Sequence, residues 1–117
     1  MWEIEFYKTA EGKEVIADFL DTLPTKHRAK VLWEVDLLAT YGTALSMPYT
    51  RHIEGKLWEL RIKFASDISR IFYFVLQGNK IVLLHGFVKK TDKVSQGEID
   101  RAKEHLNDYE RRCLNEL

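Results

Sequence analysis

Leu57-Trp-Glu-Leu-Arg-Ile-Lys-Phe64, then Ile68 to Gln77, then Lys80 to Lys90: these three runs decide the fold. They hold the chain's only long concentration of β-branched and aromatic residues, and two turn signals punctuate them. Ala65-Ser-Asp67 closes a first hairpin. Gln77-Gly78-Asn79-Lys80 closes a second, with Gly78-Asn79 supplying the pair that a two-residue primed turn requires. The stretch predicts three antiparallel strands, a meander at the middle of a sheet.

Its charges carry the functional information. Trp58, Leu60, Ile62 and Phe64 alternate with Glu59, Arg61 and Lys63, the period of a half-covered strand. Ile71 to Leu76 is apolar on both faces and should be central. A two-residue turn at Gly78-Asn79 pairs Gln77 with Lys80, hence Phe72 with His85 and Arg70 with Phe87. A four-residue loop from Phe64 to Asp67 sets Arg61 opposite Arg70. Alternation then gathers Lys63, Arg61, Arg70, His85 and Lys89 on one face. Like charges directly opposite one another destabilise a sheet, so folding does not ask for this cluster. An anion would explain it. An ion pair of Arg70 with Glu59 or Asp67 is the structural alternative, as a core position beside Phe87 is for His85.

Leu57-Trp-Glu-Leu-Arg61, Ser69-Arg70-Ile-Phe-Tyr73 and Leu83-Leu-His-Gly-Phe-Val-Lys-Lys90, in this order and spacing, resemble the Gp49-type, HigB-like branch of the RelE/ParE toxin superfamily. With the flanking helices the resemblance covers nearly the whole chain. It implies an α+β protein of β-α-α-β-β-β-α order, with a mainly antiparallel sheet, a helical hairpin and a C-terminal helix. It also implies a type II toxin that cleaves messenger RNA on the translating ribosome without metal or cofactor. A HigA-like helix-turn-helix antitoxin would neutralise it. Arg61 falls where relatives carry a basic substrate-binding residue. Arg70 matches the arginine that handles the scissile phosphate, and Lys89 and Lys90 match the basic pair ending the last strand. Some relatives place a catalytic tyrosine shortly after that pair, whereas Thr91 to Gly97 contains none.

Cofactor-free RNA cleavage suits these residue types. The 2′-hydroxyl is a nucleophile already held beside the phosphorus, so the substrate itself supplies proximity. The protein must remove a proton, stabilise the phosphorane and protonate the 5′-oxygen. Arginine forks at Arg61 and Arg70 fit the stabilising role. Neighbouring cations would lower the pKa of His85 or Lys89 and make either a usable base. Lys89 or Lys90 could donate to the leaving oxygen, while Lys56 and Lys63 are candidate substrate contacts. Two other functions fit the same fold: a ParE-like toxin that poisons gyrase, and a non-catalytic module that captures a partner helix.

Elsewhere the chain of 117 residues suggests a single domain, 1–117. Net charge is zero, but residues 51–93 carry nine Lys/Arg against four Asp/Glu. Such a balance argues against a general nucleic-acid coat and allows a local phosphate site. One cysteine excludes an internal disulfide. An acidic N-terminus and no long apolar run predict a cytoplasmic protein without a membrane span. No metal-ligand spacing, phosphate-cradling glycine loop or nucleophile elbow is present.

Trp2 to Tyr7 alternates as a strand, Glu11 to Leu23 carries a helical stripe, and Pro24 opens a second helix that Gly42 stops. His27, among Lys26, Arg28 and Lys30, reads as part of a solvated face. Arg51 to Lys56 is a candidate short strand. Ser95-Gln-Gly-Glu98 has the form of a capping box. The stripe Ile99, Ala102, Leu106, Tyr109, Cys113 predicts a last helix packed on the sheet, with Cys113 buried.

Overall fold

The computed structural model describes residues 1–89 and 93–114; Lys90, Thr91 and Asp92 lie outside the described residues, as do 115–117. The elements are β1 (Glu3–Phe6), α1 (Val15–Asp21), α2 (Thr25–Tyr41), β2 (Thr50–Glu54), β3 (Leu57–Phe64), β4 (Asp67–Leu76), β5 (Lys80–Lys89) and α3 (Gln96–Tyr109). They build one five-stranded sheet in the order β1-β5-β4-β3-β2. Only β1 and β5 are parallel; the other neighbours are antiparallel. The expected α+β architecture is present, with the candidate strand at Arg51 to Lys56 realised as β2 on the sheet edge.

The two helices of the hairpin cover one face. His27, Val31, Glu34, Val35 and Leu38 recur at helical spacing and are all buried on α2. Val31, Val35 and Leu38 pack with Ile16, Phe19 and Leu20 of α1 onto Leu60, Ile62, Ile71, Tyr73, Ile81 and Leu83. Gly42 ends α2 at φ +54, where Trp2 packs so closely that a Cβ would lie 1.9 Å from its indole nitrogen. Glycine is required there on both counts. The opposite face is covered by α3, whose Ala102, Leu106 and Tyr109 meet Leu57, Phe72, Phe74, Val82, Leu84 and Phe87. A central strand covered on both sides is what the apolar run Ile71 to Leu76 predicts.

Polar contacts tie α3 down at its far end. The Tyr7 hydroxyl donates to Asp108 at 2.5 Å, and the Tyr109 hydroxyl donates to Glu5 at 2.9 Å. Burial and the Asp108 bond push the Tyr7 phenol up to about 12, while Arg112 and Tyr7 hold the Asp108 carboxyl down at about 2. Cys113 is exposed, correcting the expectation of a buried thiol. Its residues lie in a π-helical turn, Glu110–Leu114, so the 3.6-residue period no longer holds where the stripe would have reached Cys113.

The register settles the hairpins. Arg61 lies opposite Arg70, and Phe64 opposite Asp67, as expected. At the second hairpin Leu76, not Gln77, pairs with Lys80, so the loop has one residue more than a two-residue turn. A bulge between Phe72 and Tyr73 on one side and Leu83 and His85 on the other restores the shift. Phe72 therefore still faces His85, and Arg70 still faces Phe87.

Candidate functional site

Cross-strand partners share a face, so the ladders lay out the cations row by row. Lys63, Ile68 and Lys89 form one row across β3, β4 and β5. Arg61, Arg70 and Phe87 form the next, followed by Glu59, Phe72 and His85. All five expected residues of the cluster do lie on the α3 side of the sheet. They are not equivalent once side chains are considered.

Arg70 does not present its guanidinium to solvent. It is fully buried, and its Nη1 donates to Glu59 Oε2 at 2.8 Å. The ion-pair alternative weighed for this residue is the arrangement found. Glu59, expected on a solvated face, is itself buried and collects two further cations. Arg51 Nη2 lies 3.3 Å and Arg61 Nε 3.8 Å from its Oε1. One carboxylate thus stands among three guanidinium groups. This anchor lets like-charged arginines sit on adjacent strands, a placement that would otherwise cost stability.

Arg61 stays partly open, its side chain 20% exposed. Lys63 is exposed and Lys89 half-buried, at the same end of the sheet. Lys30 of α2 reaches over the strand edge and donates to the Lys63 carbonyl at 2.5 Å. Lys56 does not join them. It sits in the β2–β3 turn, seven residues from Lys63, a strand distance of roughly 23 Å. There it pairs with Glu110 at 2.6 Å. Lys90 lies outside the described residues.

His85 is held under α3. Its Nε2 is 2.8 Å from Glu98 Oε1, its ring stacks on Phe87 with centroids 5.5 Å apart, and His105 lies edge-on at 6.1 Å. Burial is the main cause that lowers its pKa; His105 and Arg101 add to the effect and Glu98 opposes it. The direction matches expectation, but the cause is desolvation rather than the sheet cations. Glu98 is the residue that sequence reasoning misplaced: Ser95 makes no side-chain cap on α3, and the carboxylate turns to His85 instead. His27 also departs from expectation. It is buried, bonds to Ser69 at 2.6 Å and stacks on Phe64. Its spacing to Val31 and Leu38 was the available signal.

The lowered pKa has a measurable consequence. Unfolded His85 would titrate near its ordinary value of about 6.5. Folded, it gives up its proton at lower pH, so its contribution is neutral above that value. Stability should fall as pH drops from about 6.5 toward the folded pKa, where only the unfolded chain gains the proton. His85→Gln should flatten this limb of a stability profile measured by denaturant unfolding. An unchanged profile would show that His85 is not the titrating group.

Among the described residues, no group of three or more His, Cys, Asp or Glu could hold a metal ion. None of the described helices is long and apolar enough to cross a membrane. A mainly antiparallel sheet between a helical hairpin and a C-terminal helix, with basic residues gathered at one end, is compatible with the RelE-like toxin fold. The chain belongs to the phage derived protein Gp49-like family, which matches residues 18–107. This is a family of RelE/HigB-type toxins, consistent with the toxin of a toxin-antitoxin pair and implying an antitoxin partner. No curated protein matches the chain.

Proposed function

We propose that the protein is a metal-independent endoribonuclease that cuts messenger RNA on the ribosome and is held inactive by a helix-turn-helix antitoxin. The observation that supports this most is the grouping of Arg61, Lys63 and Lys89 on one sheet face, with Arg61 beside the buried Glu59 carboxylate. In this reading Arg61 stabilises the phosphorane with its guanidinium, and Lys63 and Lys89 hold the flanking phosphates. His85, oriented by Glu98 and kept neutral by burial, or Lys89 removes the 2′-hydroxyl proton. Lys89 or Lys90 protonates the departing 5′-oxygen. Arg70 acts from beneath, holding the Glu59 carboxylate rather than touching RNA, and Lys56 has no part.

Burial of Arg70 also favours a second reading. It removes one cation from the open face, and the same fold without cleavage chemistry would be a gyrase-poisoning toxin. Mapping 5′-ends of messenger RNA after induction separates the two. New ends that require ribosomes support the nuclease; growth arrest with intact transcripts and lost supercoiling supports the other.

A further inference from the structure

At the outer edge of β3 the sheet is left open, because β2 begins only at Thr50, opposite Leu60. A recess of about 210 Å³ lies there, lined by Lys30, Glu34, Pro48, Tyr49, Arg61 and Lys63. It reaches from α2 to the basic end of the sheet. Its one aromatic wall is Tyr49, which is 40% exposed although the recess adjoins the core.

Tyr49 is held by its backbone. Its amide donates to Ser46 at 2.9 Å, and its carbonyl accepts from the Arg61 amide at 2.8 Å. The next residue, Thr50, fastens the loop by donating from its hydroxyl to the Leu45 carbonyl at 2.7 Å. The backbone that carries this large ring is therefore held at the surface, and the ring lines the same recess as two cationic side chains on β3. At 40% exposure part of the residue remains available to a partner. Bases offer a π-face that stacks on such a ring whatever their identity, and Lys or Arg beside it meets the adjoining phosphate. The recess is too small for a drug-sized ligand but open enough to admit one planar base.

We propose that this recess is a nucleobase subsite for single-stranded RNA, with the base stacked on Tyr49 and its phosphate held by Lys63. The inference rests on the nuclease reading and extends it to a contact one nucleotide away from the reacting phosphate. Glu34, whose carboxyl is pushed up by burial and lies 3.8 Å from Lys30, closes the inner wall.

The test uses a short single strand carrying 2′-O-methyl groups throughout, which cannot be cut by 2′-hydroxyl attack. Binding is read by fluorescence anisotropy at several salt concentrations. Tyr49→Ala should weaken binding by about 10- to 100-fold, with Tyr49→Phe close to wild type. Tyr49→Leu, which keeps apolar volume without a ring, should lose as much as Tyr49→Ala and covers the case in which alanine unfolds the loop. Lys63→Ala should reduce the slope of log K against log salt by about 0.7. If wild type and Tyr49→Leu bind alike, or wild type does not bind, the subsite is refuted even where transcript mapping still reports cleavage. If Tyr49→Leu binds RNA normally but escapes neutralisation by the antitoxin, the recess is a protein-docking site and the inference falls.

Discussion

Arg70→Ala should destabilise the protein by about 3–5 kcal/mol and lower Tm by roughly 10–25 °C. The reason is the state of its partner. Glu59 is fully buried, and removing Arg70 takes away the guanidinium 2.8 Å from its Oε2. Arg51 and Arg61 stand farther off, at 3.3 and 3.8 Å from the other oxygen. A buried carboxylate losing its nearest charge is among the most costly of single changes. Replacing both partners by apolar residues of similar volume, Glu59→Leu with Arg70→Met, should recover part of the loss, since the fully buried pair goes as a unit while Arg51 and Arg61 lose the carboxylate beside them. Thermal unfolding of the three proteins checks this. A Tm within two degrees of wild type for Arg70→Ala would mean the pair does not hold the sheet face together. Any loss of growth arrest on mutating Arg70 has to be read beside that Tm.

Arg61→Ala should act in the opposite way. Its side chain reaches solvent where that of Arg70 does not, so its loss should cost less stability than the loss of Arg70. If its guanidinium meets the developing phosphorane charge, cleavage should fall by about 10²–10³ in rate. Arg61→Lys should recover only part, because lysine keeps the charge and loses the fork. Single-turnover cleavage on programmed ribosomes gives the rate, and a parallel melt gives the stability. Full activity with an intact fold would remove Arg61 from the site.

The contrast between these two arginines marks how far the sequence could be read. Their pairing across β3 and β4 was legible, because hairpin length and period-2 alternation fix which residues are neighbours. Their depth was not. Glu59 looks like an outward charge in the alternation Trp58 to Phe64, and only the covering of both sheet faces turns it into the buried centre of an arginine cluster. For the same reason Trp58, read as core-facing, is 37% exposed while Glu59 is fully buried. The flanking helices and the family were carried by ordered motifs and by apolar stripes. Long-range partners such as Glu98 for His85, or Lys30 over Lys63, depend on how α3 and α2 lie across the sheet. Local spacing does not encode that. Nothing in Thr43 to Thr50 announces a recess at Tyr49, which needs the late start of β2 to exist.

The bulge at Leu84 separates two registers of the β4–β5 hairpin that agree only from His85 onward. A tight two-residue turn with an unbroken ladder and the longer loop with one extra residue in β5 both bring His85 opposite Phe72. Up to Leu84 the α3 side is written in even-numbered residues, Val82 and Leu84; beyond it, in odd ones, His85, Phe87 and Lys89. The strand changes parity midway, so the half that fills the core and the half that bears the cations are out of step with each other. The longer loop is absorbed at Leu84, so His85, Phe87 and Lys89 stay on the α3 side while Ile81 to Leu84 keep the faces that fill the two halves of the core.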